Sequence, residues 1–228
     1  MTAPLSGPRL PPREGAATHL IVLCHGYGAD GNDLLGLAPY WQELLPSAAF
    51  AAPNAPERCA GSPGYQWFPI SRLDPAEMAR GVEAAAPALD AFLDAELARL
   101  ALPPERLALV GFSQGTMMSL QVGLRRPVKP AAIVGYSGML AGAPPTLGAD
   151  TPPILLVHGD ADPMIPADAL FMTATALGRA GAAVQWHLSP GIGHSIDETG
   201  LALGGIFLAM ALSGLLARGA GEIACTLG

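Results

Sequence analysis

Short apolar runs alternate along this chain with longer stretches in which apolar residues recur every three or four positions. The runs at 19–24, 106–110, 131–136 and 153–157 hold few polar residues, which predicts strands buried on both faces, as in a parallel sheet. A shorter run at 50–52 is a further strand candidate, and 184–188 alternates like a strand with one wet face. Helical spacing predicts helices over 33–41 (capped by Asn32), over 76–101, from Gln114 to the Arg125-Arg126 pair before Pro127, over 167–180, and from about Asp197 onward. Pro87 lies inside the second of these and is expected to kink or split it. Strand and helix alternate throughout, which predicts an α/β domain with a mostly parallel central sheet and helices on both faces. Residues 1–17, rich in Pro, Gly and Arg, read as a flexible N-terminal arm, 18–217 as one domain, and 218–228 as a C-terminal tail.

Composition narrows the function. The 228 residues suit one domain, half of them are hydrophobic and only 14% are charged, so a large core is available and disorder is excluded. Net charge is −7 with Lys129 the sole lysine, so no basic stripe exists for nucleic acid. Cys24, Cys59 and Cys225 have neither metal-ligand nor C-x-x-C spacing, which favours reduced thiols, a cytoplasmic setting and no metal. The first residues lack the charged-then-apolar form of a signal peptide.

The chemistry centres on Gly111-Phe112-Ser113-Gln114-Gly115, between a predicted strand and a predicted helix. A G-x-S-x-G turn there is the nucleophile-elbow pattern: the serine stands on a strained turn, and side chains two residues to either side would collide. The helix start also offers unpaired N–H groups to a developing oxyanion. Among five histidines, His194 follows the last strand, where the order Ser…Asp…His puts the base, whereas His25 and His158 read as loop-anchoring core residues. Asp160 and Asp162 both follow the strand at 153–157. Asp162, farther into the loop, is favoured as the acid, and Asp160 as a turn brace. Gly26-x-Gly28-x-x-Gly31 matches a dinucleotide fingerprint, but no acidic residue ends the next strand to hold a ribose. An oxyanion loop that turns the Tyr27 N–H inward is the better reading, and no cofactor is expected. The long stretch 53–75, placed over the active site, carries Tyr65, Trp67 and Phe68; Trp67 and Phe68 are expected to form part of an acyl-pocket wall, with Trp67 as a pin for the loop the rival reading.

Taken together, His25-Gly-x-Gly, Gly111-Phe-Ser-Gln-Gly115, His158-Gly-Asp-Ala-Asp-Pro-Met-Ile-Pro166 and Gly191-Ile-Gly-His-Ser195 resemble the small bacterial carboxylesterases of the α/β-hydrolase fold, relatives of acyl-protein thioesterases and lysophospholipases. The resemblance runs over 18–215. It implies the α/β-hydrolase fold, a triad of Ser113, Asp162 and His194, an oxyanion hole from the N–H groups of Tyr27 and Gln114, and substrate-binding roles for Trp67, Phe68 and Ile165. Pro69, Thr116 and Met117 depart from the family pattern and bear on pocket shape. The implied activity is hydrolysis of short- to medium-chain carboxylic esters through an acyl-enzyme. A thioesterase or lysophospholipase would use the same triad, and a non-catalytic ligand-binding protein is the rival of another class.

The stretch 199–217 carries no charge and approaches the ~20 residues of a membrane span. Its start lies only five residues past His194, so a buried final helix is favoured and no stable membrane insertion is expected. The expected partners are a small-molecule or lipid ester and, through an apolar rim, a second copy as a homodimer.

Overall fold

A central sheet organises the computed structural model, which describes residues 4–60, 62–71 and 74–219. The strands are β1 (Arg9–Leu10), β2 (His19–Cys24), β3 (Ala48–Ala51), β4 (Glu57–Arg58), β5 (Tyr65–Gln66), β6 (Leu107–Phe112), β7 (Ala132–Tyr136), β8 (Ile154–Gly159) and β9 (Val184–Ser189). The helices are α1 (Gly31–Leu35), α2 (Ala38–Trp41), α3 (Pro75–Arg99), α4 (Gln114–Gly123), α5 (Asp168–Arg179) and α6 (Glu198–Leu212). Seven strands form the main sheet in the order β1-β3-β2-β6-β7-β8-β9, parallel except for β1, while β4 and β5 pair apart as a small antiparallel hairpin.

Strand geometry sends successive side chains to opposite faces. Leu20, Val22 and Cys24 of β2 therefore meet α3 and α4 through Leu89, Leu93, Met117 and Met118. Ile21 and Leu23 face the other side, where Trp41 of α2 and Phe207 and Leu208 of α6 lie. Ile154 and Leu156 of β8 bury against Leu170 and Leu177 of α5. With both faces covered, the central strands read as unbroken apolar runs.

Several boundaries differ from the sequence reading for local reasons. Asp30, not Asn32, caps α1: its carboxylate accepts from the N–H groups of Asn32 and Asp33, and Asp33 returns a bond to the Asp30 N–H. Pro87 does not split α3, which runs unbroken over 25 residues. Pro87 and Glu83, whose carbonyl loses its helical partner, are both exposed, so water can take that bond. The described part of the expected N-terminal arm is partly held: β1 extends the sheet edge, and Arg9 grips Glu96 of α3. The uncharged stretch at 199–217 is helical only to Leu212, because Gly214 turns the chain at φ 71°. The helix is seated by its glycines. A β-carbon at 204 would lie 1.8 Å from the Tyr136 hydroxyl and one at 205 would lie 2.6 Å from Trp41. Among the described residues, no helix is long and apolar enough to cross a membrane.

Candidate active site

The turn between β6 and α4 is tight because its neighbours leave no room. Ser113 sits at φ 55°, ψ −116°, a backbone conformation that costs a non-glycine residue about 1–3 kcal/mol. A β-carbon at 111 would lie 2.3 Å from the Gly115 carbonyl oxygen, and one at 115 would lie 1.8 Å from that of Cys24. The strained turn is tied down by the Ser113 N–H, which donates to the Tyr136 carbonyl of β7 at 2.9 Å. The Thr116 hydroxyl lies within hydrogen-bond distance of the carbonyls of Gly111 and Tyr136. Thr116, larger than the family pattern expects, fits because positions 135 and 138 are glycine, where any β-carbon would strike it.

At the same end of the sheet, Asp162 and His194 form a pair. The His194 Nδ1 lies 2.7 Å from Asp162 Oδ2. The other oxygen, Oδ1, accepts from the N–H groups of Met164 (2.8 Å) and Ile165 (3.0 Å). Burial opposes ionisation of this carboxyl, but the Ile165 N–H, the His194 ring and the Met164 N–H outweigh it and hold its pKa below the ordinary carboxylate range. An ionised Asp162 only accepts, so His194 carries its proton on Nδ1, and Nε2 of the neutral ring is left as a base. The imidazole lies against Phe112, the residue before Ser113, with ring centroids 4.9 Å apart, and its side chain is 20% exposed. Asp160 does something else: its carboxylate accepts from the Gly191 N–H at 2.6 Å and braces the loop that carries His194.

The turn after β2 approaches the elbow closely. A β-carbon at Gly26 would come within 3.3 Å of Ser113 Cβ, so the next residue, Tyr27, begins beside the nucleophile. His25 anchors this turn. Its Nε2 accepts from the Ala55 N–H at 2.9 Å, so the proton is on Nδ1, which donates to the Gly26 carbonyl at 2.7 Å. Burial lowers the His25 pKa, in keeping with that neutral form. Gly28 takes φ 80° and donates to the Tyr65 carbonyl, while Gly31 lies against Ala52. The three glycines thus serve a turn and two close approaches. Gln114 opens α4, so its N–H has no intrahelical acceptor.

The Gln114 side chain had no signal in the sequence beyond a polar residue beside the nucleophile. It is fully buried. Its Oε1 accepts from the Trp67 N–H at 2.8 Å and its Nε2 donates to the Phe68 carbonyl at 2.8 Å, bridging the elbow to the loop at 53–75. Trp67, Phe68 and Ile165, expected beside substrate, are 1%, 3% and 4% exposed and share one apolar cluster with Met78, Val82 and Met117. The Trp67 indole N–H donates to the His25 carbonyl at 2.9 Å, and the Phe68 ring fills the space a side chain at Gly81 would need. These contacts favour the pinning role for the aromatic cluster over the wall role. A groove of about 560 Å³ lies beside β9 and is lined by none of these residues. A smaller one of about 230 Å³ runs between the segment after β7 and α5, lined by Met139, Leu140, Ala169 and Met172.

Cys24 and Cys59 are buried free thiols, and burial pushes Cys24 up to about 12, which leaves it a protonated, unreactive core residue at neutral pH. Cys225 lies outside the described residues. Among the described residues, no group of three or more His, Cys, Asp or Glu side chains could hold a metal ion.

A family model described as phospholipase/carboxylesterase matches residues 8–211. The crystal structure of esterase PE8 superposes with a TM-score of 0.85 at 43% identity, covering 94% of this chain and 100% of that one. Acyl-protein thioesterase 1 of Schizosaccharomyces pombe is 35% identical over 179 residues, 73% of this chain and 78% of the relative. Esterase YpfH of Escherichia coli is 26% identical over 182 residues, 80% of this chain and 78% of the relative.

Proposed function

We propose, for a chain that belongs to the phospholipase/carboxylesterase family, that the end of the sheet around Ser113 is a serine-esterase centre acting on short- to medium-chain carboxylic esters. The Asp162–His194 pair, with its ring against the residue before a strained Ser113, is the observation that carries this reading. His194 Nε2 takes the Ser113 proton as Oγ adds to the ester carbonyl. The oxyanion is held by the N–H groups of Tyr27 and Gln114, each worth ~2.7–4 kcal/mol by analogy with a measured donor. Asp162 fixes the imidazole tautomer and stabilises its cation. The imidazolium returns the proton to the departing alcohol, and the acyl-enzyme is hydrolysed when His194 draws a proton from water. The two buried free thiols support a cytoplasmic setting.

A chromogenic ester should give a burst of alcohol or phenol equal to the enzyme concentration, and Ser113→Ala should abolish both burst and turnover while leaving the fold intact. A folded Ser113→Ala protein retaining more than a few per cent of activity would place the nucleophile elsewhere. No burst from the intact protein, with reversible ligand binding instead, would favour the non-catalytic rival. Acyl-protein thioesterase 1 of fission yeast makes thioesters the second reading, and kcat/KM on matched oxygen esters and thioesters decides between them.

A further inference from the structure

Asp162 faces a second imidazole that the triad does not use. His158 ends the apolar run of β8, is 1% exposed, and places its Nε2 2.9 Å from the Ile165 carbonyl oxygen and 3.3 Å from Asp162 Oδ2. A carbonyl only accepts, so Nε2 carries a proton and donates it to Ile165, with the carboxylate oxygen close beside that bond. The turn is thereby closed from both ends. Asp162 Oδ1 holds the N–H of Ile165, and His158 holds the carbonyl of the same residue. Two backbone N–H groups fix Oδ1, and the His158 ring lies near Oδ2, the oxygen bonded to His194. Asp162 has no exposed side-chain surface, so no water substitutes if one of these partners is lost.

We infer that His158 is the positioning residue for Asp162: its Nε2–H holds the Ile165 carbonyl, and with it the turn whose two N–H groups fix Oδ1 and leave Oδ2 facing His194. The inference rests on the reading of Asp162 as the catalytic acid. His158 touches no substrate and transfers no proton. Its whole effect on turnover passes through the carboxylate.

Three measurements test it. His158→Leu fills similar space without a donor, whereas His158→Gln keeps an amide N–H at about the reach of Nε2. The expected result is a kcat lowered ~10–100-fold in the Leu variant, the range seen when the partner that orients a functional ligand is removed. KM should change less than about threefold, and the Gln variant should recover most of the loss. In the Asp162→Asn background, His158→Leu should cost nothing further, because residues acting as one unit are not additive. In the unaltered protein, nitrogen NMR of the histidines should find the His158 proton on Nε2, a result that holds even if the Leu variant fails to fold. A folded Leu variant with normal kcat, equal losses in the Leu and Gln variants, additive losses on Asp162→Asn, or a proton found only on Nδ1 would each overturn the inference. Full activity of Asp162→Asn alone would instead remove the acid reading beneath it.

Discussion

Ser113 holds a backbone conformation that few serines adopt, and the cost is tolerated because β7 anchors its N–H and two glycines clear its flanks. Replacing it by glycine should therefore abolish turnover and yet raise stability by about 1 kcal/mol, the strain relieved less the extra chain entropy of glycine. Urea midpoints of wild type, Ser113→Ala and Ser113→Gly check this, and a Gly variant less stable than the Ala variant would mean the turn is not strained. The two aspartates separate in the same way. Asp162→Asn puts an amide against the His194 Nδ1 and should lower kcat by about 10⁴, the fall seen for the equivalent change in a serine protease. Asp160→Asn keeps an acceptor for the Gly191 N–H and should leave kcat within a few fold. The reverse pattern in steady-state kinetics would reassign the acid. The strained turn at Ser113 and the pairing of Asp162 with His194 could be read from sequence because steric need appears as glycine at fixed spacing and because strand ends place loop residues predictably. The roles of Gln114 and His158 could not be read that way. Each depends on a side chain meeting backbone from a distant or refolded segment, and composition carries no trace of that geometry.

At the scale of elements, the stretch 53–75 shows what periodicity leaves out. Its two-residue strands are too short to produce an alternating pattern, and the hairpin they form is held by the turn after β2, where the Tyr65 N–H donates to the Ala29 carbonyl and the Tyr65 carbonyl accepts from the Gly28 N–H. The aromatic cluster on this loop has no helical or strand stripe, so its sequence predicts a pocket wall rather than a pin. Its contacts are those a pin makes. Trp67 bridges Gln114 of the elbow to the His25 carbonyl of the turn after β2. Trp67→Ala is then expected to lower stability by about 3–5 kcal/mol, the cost of emptying a well-packed aromatic site. It should depress kcat/KM for acetate, butyrate and octanoate esters alike, since it loosens two segments that position the reaction. A selective gain for octanoate at an unchanged denaturation midpoint would restore the wall reading. α3 teaches the same lesson from the other side: Pro87 is a strong local signal, yet buried Val82, Leu89, Phe92 and Leu93 hold the helix to the sheet on the opposite face.

For the molecule as a whole, one buried carboxylate links the N-terminal segment to the site. Glu96 of α3, with its side chain 4% exposed, receives Arg9 from β1 and Arg99 from its own helix. The segment clipped by Arg9 continues the chain of contacts: the Ser6 carbonyl accepts from the Asn54 N–H, and the Asn54 side chain accepts from the Gly31 N–H at the end of the turn after β2. Burial opposes ionisation of Glu96, but the bonds from Arg9 and Arg99 outweigh it and hold its pKa below the ordinary range. Asp162 and Asp197 are depressed in the same sense, Asp197 because the Ser189 hydroxyl and the Gly200 N–H overcome its burial. For a depressed carboxylate the sign is fixed. Its stabilisation is full above the unfolded value of ~4 and is lost as pH falls through the lower folded value. Glu96→Gln should therefore cost roughly 1–3 kcal/mol at pH 7. That is less than the ~3–5 of a fully buried pair, because Arg9 and Arg99 are 41% and 46% exposed. As pH drops below ~4 the wild-type carboxylate takes up a proton and its advantage shrinks, so the two stability curves should converge. Urea midpoints for both proteins at pH 7, 5, 4 and 3 measure this directly. Curves that stay parallel down to pH 3 would mean that Glu96 is not the group whose charge ties the N-terminal strand, and through it the turn after β2, to the body of the fold.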